Sequence, residues 1–376
     1  MSLISYNTRI HFAENALADA LEPEIAALGL RRAFVIGDDD PGRPGLTGRL
    51  LAALGPGVRP MLWTARGGSA TEAACDAATE IYRASGADGL VGFGGRVAIT
   101  LAKAVGLRTA HAGPLRRFAG QRGGAARIRQ AIPPIVAIPT TPDACLEISP
   151  VAVVIGGDGA LVSIASPQLL PRVALCDPTL TLDLPPARMA SAAMDVLTHC
   201  IETFSATAYN PPADGIARDG LRRAIAHVEG AVASRDPRAR RELMAAALDG
   251  ALASQKGLGA VHAMSHALGC VADGPLDHGA VNAVLLPHVL AFNAPAISER
   301  FAAIRADFGL RRGADLPLAM TRLRARIGLP ASLRALGLRA ETLDRAAAAA
   351  SSDYFNRTNP RLADADDYLA MLMAAY

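Results

Sequence analysis

Lysine is almost missing from this 376-residue chain: of its 38 basic residues only Lys103 and Lys256 are lysine, and the rest are arginines scattered along the sequence. Aromatic residues are scarce too, at 4 % with a single tryptophan, Trp63. A nucleic-acid surface needs clustered cations interleaved with stacking rings, so both shortages disfavour such a partner. The five cysteines (Cys75, Cys145, Cys176, Cys200, Cys270) are odd in number, widely spaced and without a CxxC pair, which argues against a disulfide framework and a thiolate zinc site. Although 51 % of the residues are apolar, no uninterrupted apolar run approaches the roughly 20 residues of a bilayer-spanning helix. No membrane partner is expected. Met1 to Arg9 lacks the basic and apolar segments of a secretion signal, so the expected compartment is the cytoplasm.

What is present divides the chain in two, as its length leads one to expect. Between Arg32 and Pro186, the short apolar runs Ala33–Gly37, Gly89–Gly92, Ile135–Ile138 and Val173–Cys176 read as buried strands. The segments Leu46–Leu54, Thr71–Ala84 and Ile99–Val105 carry helical periodicity between them. Uniformly apolar strands separated by helices imply a parallel α/β sheet. After Leu184-Pro185-Pro186 the strand signals stop, and long Ala/Leu/Arg-rich patterns such as Ala187–Thr203, Asp214–Val228 and Arg240–Ser254 predict an all-helical domain. The expected domains are residues 1–182 and 183–376, with the paired prolines as a hinge.

The helical half carries the chemistry. Asp195 and His199 lie four apart in a helical pattern, which puts a carboxylate and an imidazole on one face. His262 and His266 repeat this spacing, and His278 follows after a Gly-Pro loop. Three or four histidines can thus gather with one aspartate. Such a set suits Fe(II), Zn(II), Mn(II) or Co(II) better than Cu(I) or a cluster, and geometry alone does not choose among the four. Alanine at position 263 excludes the HExxH protease pattern. Taken singly, either i,i+4 pair also fits two hydrogen-bonded polar groups of a helix; two pairs together with His278 favour a metal. His11, His111, His227 and His288 stand alone and are read as ordinary polar residues.

The runs SAAMDVLTHCIETF, KGLGAVHAMSHALG and HGAVNAVLLPHVLAFN resemble the metal-binding domain of the group III, iron-containing alcohol dehydrogenases, a family that includes the maleylacetate reductases. The likeness extends from ISYNTRIHF through Gly94-Gly95 to CDPTLTLDLPP. It implies a Rossmann-like N-terminal domain and a helical C-terminal domain, the dehydroquinate synthase-like arrangement. By the same resemblance Asp195, His199, His262 and His278 are metal ligands, and His266 is the catalytic imidazole that relays protons. Maleylacetate reductases often carry Asn in place of Asp195, so the metal-dependent branch is the nearer one. The resemblance further implies an NAD(P) cofactor held by Asp38, Gly94, Gly95, Thr140 and Thr141, with Asp38 favouring NAD, and a homodimer or larger homo-oligomer.

The cofactor motifs depart from that pattern. Where the family has GGGSxxD, this chain reads Gly94-Gly95-Arg96-Val97-Ala98-Ile99-Thr100, and TTxGTGSE has become Thr140-Thr141-Pro142-Asp143-Ala144-Cys145-Leu146-Glu147. A side chain at a position of close backbone approach obstructs a pyrophosphate, whereas the Arg96 guanidinium attracts a phosphate or carboxylate and is a candidate catalytic residue. Two functions follow as expectations. One is a metal-dependent NAD(P)-linked oxidoreductase of alcohol dehydrogenase or oxo-acid reductase type, acting on a small polar or acidic substrate. The alternative is a non-redox metal-dependent hydrolase or lyase on the same scaffold.

Overall fold

The computed structural model describes residues 7–38, 43, 45–66, 68–120, 123–143 and 145–376. They form two compact units, one ending at Leu184 and the other beginning at Pro185. The first contains strands β1 (Arg9–Phe12), β2 (Ala33–Asp38), β3 (Met61–Ala65), β4 (Gly89–Gly94), β5 (Ile135–Pro139), β6 (Val151–Ile155), β7 (Leu161–Ala165) and β8 (Val173–Cys176). Its helices are α1 (Ala16–Ala27), α2 (Gly45–Ala53), α3 (Glu72–Ser85) and α4 (Arg96–Ala110). Six strands form one parallel sheet in the order β1-β8-β5-β4-β2-β3, while β6 and β7 pair as a separate antiparallel hairpin.

Side-chain alternation along β2 and β4 covers both faces of this sheet. Phe34, Ile36 and Leu90 pack into a core with residues of α3 and α4, whereas Val35, Val91 and Phe93 pack into another with residues of α1 and α2. The four strands read from the sequence are those buried on both sides. The missed strands lack that signature: β1 and β3 are sheet edges, Met61 and Leu62 are exposed, and the hairpin alternates buried with half-buried residues. Thr71 is the cap of α3 and accepts from the Ala74 amide, which delays the helix by one residue.

Strand β2 sends the chain outward to β3, and β4 sends it the other way to β5. The sheet therefore switches direction between β2 and β4, where open α/β sheets bind ligands at their carboxyl ends. Asp38 and Gly94 end those two strands.

Both lysines are buried, and each serves backbone carbonyls. Lys103 donates to the carbonyls of Leu146 (2.6 Å), Ser149 (2.6 Å) and Val151 (3.0 Å), tying α4 to the segment that leads into β6. Burial pulls this amine down to about 7, with Glu147 opposing, yet three acceptors require the three N–H bonds of an ammonium. Lys256 likewise reaches the Phe204 carbonyl (3.1 Å) and Asp214. A compact point charge with three rotatable donors satisfies the three carbonyls around Lys103, whereas a planar guanidinium does not. That accounts for lysine at position 103 in a chain that otherwise uses arginine. Lys103→Arg and Lys103→Met are each expected to lower the unfolding midpoint, the latter by about 3 kcal/mol through stranded buried carbonyls. Urea unfolding measures the loss, and a Lys103→Arg protein as stable as the parent contradicts this account.

The second unit contains α5 (Pro186–Ser205), α6 (Pro211–Ala233), α7 (Pro237–Ala253), α8 (Ala260–Val271), α9 (His278–Asn293), α10 (Ser298–Asp307), α11 (Leu316–Arg326), α12 (Leu343–Ser351) and α13 (Ala365–Ala375). No strand occurs among its described residues, so the expected architecture, a parallel-sheet α/β domain followed by an all-helical one, is the one found. Pro186 starts α5, where a missing N–H costs nothing. Every residue from Met189 to Ser205 is buried, because α5 packs against α6, α7 and α9. The apolar stretch His278–Ala296 has a mean hydropathy of 1.2 and is 67 % buried, as befits a core helix packed on α5, α8 and α11.

Candidate functional site

In the helical unit, α5 supplies Asp195, His199 and Glu202, α8 supplies His262 and His266, and the first residue of α9 is His278. Asp195, His199 and His262 are buried and offer one ligand atom each, all within 4.8 Å of one another. The Oδ1 atom of Asp195 lies 3.8 Å from His262 Nε2 and 3.6 Å from His278 Nε2. Bond lengths of about 2.1 Å around a tetrahedral cation put its donors about 3.4 Å apart. A carboxylate and three imidazoles at these separations fit a divalent cation.

The rings are aimed from behind. Nδ1 of His199 contacts the Asp195 carbonyl at 3.0 Å, Nδ1 of His262 contacts Glu202 Oε2 at 2.6 Å, and Nδ1 of His278 contacts Ser265 Oγ at 2.9 Å. A neutral ring that donates through Nδ1 carries its lone pair on Nε2, so the carbonyl and the carboxylate set the tautomers of His199 and His262, while the Ser265 hydroxyl fixes the direction of the His278 ring. Glu202 is held in turn by the amides of Gly259 (3.0 Å) and Val261 (2.7 Å). Burial pushes its carboxyl up to about 7, against the amides of Val261 and Gly259 and the nearby His199, which pull it down. Asn282 of α9 donates to Asp195 Oδ1 at 2.6 Å, and Asp277 both caps α9 and accepts from Ser191 Oγ.

Sequence reasoning did not single out these supporting residues. Glu202 lies seven after Asp195 and three after His199, and Asn282 four after His278, so helical spacing carried a signal for both. His266 stands beside the group. Its ring is stacked on His278 with centroids 6.1 Å apart, its centroid lies 5.6 Å from that of Phe355, and Nδ1 is 3.4 Å from Asp353 Oδ2. Asp353 is 87 residues distant in sequence, and no local pattern points to it.

In the α/β unit, the structure gathers Asp38, Gly94, Gly95, Thr140 and Thr141 at the carboxyl edge of β2, β4 and β5. The Thr140 amide donates to the Gly94 carbonyl at 3.0 Å, and the Thr140 carbonyl accepts from Arg43 at 3.2 Å. Thr141 Oγ1 lies 3.0 Å from where a Cβ on Gly95 would stand. The carboxylate of Asp38 accepts from the Gly95 amide and from the Ala98 amide (3.1 Å), so it sits on the N-terminus of α4. A Cβ on Gly94 would meet Asp38 Oδ2 at 2.5 Å and the Ala98 Cβ at 2.8 Å, which explains glycine there. Arg96, half-buried, is the first residue of α4 and not a loop residue. A cation at a helix N-terminus is unfavourable, and the Asp38 carboxylate offsets it. These glycines suit a pyrophosphate; the amides that would bind it are engaged by Asp38. In the altered loop, Thr140, Thr141, Cys145 and Glu147 are buried and Cys145 has a positive φ of 47°, whereas Ala144 lies outside the described residues.

The sequence matches the family description "Iron-containing alcohol dehydrogenase" over residues 7–178 and "Fe-containing alcohol dehydrogenase family, C-terminal" over residues 189–376. It is 40 % identical to the 4-hydroxybutyrate dehydrogenase of Cupriavidus necator over 99 % of both chains. It is 32 % identical to the maleylacetate reductase of Rhizobium sp. (strain MTP-10005), over 92 % of this chain and 89 % of the relative. The crystal structure of a 1,3-propanediol oxidoreductase superposes with a TM-score of 0.91 at 29 % identity, covering 100 % of both chains.

Proposed function

The chain belongs to the iron-containing alcohol dehydrogenase family, and from that membership we propose an NAD(P)-linked, divalent-metal-dependent oxidoreductase that interconverts a small hydroxy acid and its aldehyde. The observation that carries this is the aspartate and three histidines: His262 and His278, held at Nδ1, turn Nε2 toward Asp195 Oδ1 at 3.8 and 3.6 Å, and His199 Nδ1 lies 3.4 Å from the same oxygen. Asp195, His199, His262 and His278 would hold the cation, with iron or zinc the first choices for this donor set. When bound, the cation supplies Lewis acidity toward an alcohol or carbonyl oxygen, and the nicotinamide supplies the hydride donor or acceptor. Glu202, Ser265 and Asn282 keep the donors aimed. His266 is positioned to accept or return the hydroxyl proton at Nε2.

The acidic substrate class is supported by the C. necator relative, whose name specifies a hydroxy acid. A redox reaction is supported over hydrolysis or elimination because the relatives above are dehydrogenases and reductases. Arg96 serves as an anion contact, for a phosphate or a carboxylate.

Binding of the dinucleotide requires Asp38 to release the amides of Gly95 and Ala98. The iron- or zinc-loaded enzyme is expected to reduce NAD+ with 4-hydroxybutyrate, followed at 340 nm. Asp38→Asn keeps a capping oxygen but removes the repelling charge, so its affinity for NADH is expected to rise about tenfold, or about 1.4 kcal/mol. Calorimetric titration decides the second point, and weaker NADH binding by Asp38→Asn would place this carboxylate on the ribose. Absence of turnover and of NADH binding in metal-loaded protein refutes the redox assignment.

A further inference from the structure

We propose that Asp353 is the positioning residue for His266: its carboxylate holds Nδ1–H and thereby fixes Nε2 as the atom that exchanges the proton. This rests on the proton role assigned to His266 above. Both carboxylate oxygens are committed. Oδ1 accepts the Phe355 amide at 2.8 Å, capping the short turn Tyr354–Arg357, and Oδ2 faces His266 Nδ1 at 3.4 Å. The two side chains are 18 % and 12 % exposed, so water competes little for the contact.

The turn that carries Asp353 is bolted to the start of α8. Thr358 Oγ1 donates to the Leu258 carbonyl at 2.6 Å, and Asn359 Oδ1 accepts the amide of Ala260, the first residue of the helix that bears His262 and His266, at 3.1 Å. From the other side, Asn356 donates to the carbonyls of Ser351 and Ala363 and accepts from Tyr368 Oη at 3.1 Å. Phe355 is delivered against His266 by the same turn. One C-terminal segment therefore sets the carboxylate, the ring's neighbour and the helix that bears the imidazole in a single frame. The contact runs through the ring nitrogen remote from the reacting atom, the arrangement by which a carboxylate selects a histidine tautomer.

Capping and positioning are separable by side-chain length. Asp353→Ser retains a cap for the Phe355 amide but is too short to reach Nδ1, whereas Asp353→Asn keeps an oxygen for the cap and turns an NH2 donor toward the ring, which only an Nδ1 without its proton can accept. In zinc-loaded protein, 15N–1H spectra of the imidazoles are expected to show His266 as the Nδ1–H tautomer in the parent, as the Nε2–H tautomer in the Asn variant and as a mixture in the Ser variant. In turnover, both variants are expected to lose roughly 10- to 100-fold in kcat with KM within threefold and full metal content, with Asp353→Asn the more impaired because it imposes the wrong tautomer. An unchanged His266 tautomer in Asp353→Asn, or parental kcat in both variants, overturns the proposal. His266→Ala distinguishes the premise: if that variant keeps parental kcat, the proton role is wrong, while the tautomer spectra still judge whether Asp353 orients the ring.

Discussion

Asp195→Ala and His262→Ala are each expected to abolish metal retention and turnover together. Asp195 is the group toward which the others converge, since Oδ1 lies within 4 Å of both His262 Nε2 and His278 Nε2 and also receives Asn282. Removing it deletes the only carboxylate among the proposed donors and leaves neutral imidazoles to offset a dication. Removing the His262 ring strands Glu202, whose carboxylate is then buried without its imidazole partner, so the remaining donors lose both a member and an anchor. The content measured by plasma mass spectrometry is expected to fall from about one ion per chain to under about a tenth, with activity at least about a thousandfold down. A ligand that binds only the folded state raises its stability, so added Fe(II) or Zn(II) should raise the melting temperature of the parent and not of either variant. Stoichiometric metal in both variants would end the assignment of this group as a cation site.

Gly279→Ala is expected to disable the same site from a residue that offers no ligand atom. A Cβ at this position would overlap the Ser191 carbonyl, its carbon and its hydroxyl oxygen, because α5 and α9 approach backbone to backbone there. Backbone cannot rotate away as a side chain can. The start of α9 must shift, carrying His278, its Ser265 contact and the Asp277–Ser191 hydrogen bond with it. Overpacking of this kind costs about 3 kcal/mol, seen as a lower unfolding midpoint together with loss of bound metal. Gly269→Ala is the control. Gly269 lies within α8, a Cβ there meets nothing within 4 Å, and alanine should be neutral or stabilising by about 0.5–1 kcal/mol. Equal behaviour of the two substitutions would show that close helix approach is not what Gly279 serves.

How far these features could be foreseen depended on how local their signal is. The i,i+4 spacings of Asp195 with His199 and of His262 with His266 are fixed by helical repeat, so shared faces followed once the helices were assigned. Edge strands β1 and β3 went unread because half-exposed residues carry no uniform apolar run. The start of α4 was placed late because Gly94-Gly95 suggested a loop running past Arg96, whereas Asp38, 57 residues from Gly95, caps the helix one residue earlier than Arg96.

Composition and periodicity were sufficient for the class of fold, the four fully buried strands, the all-helical character after Pro185 and the residue types able to hold a cation. Each of these depends on neighbours within a turn or two of the chain. Folding in three dimensions was needed for the Asp38 carboxylate on α4, for Glu202 behind His262, for Asp353 behind His266 and for the contact that demands Gly279. Those pairings join residues 57 to 88 positions apart, and only packed helices and strands bring such groups within hydrogen-bond or van der Waals range.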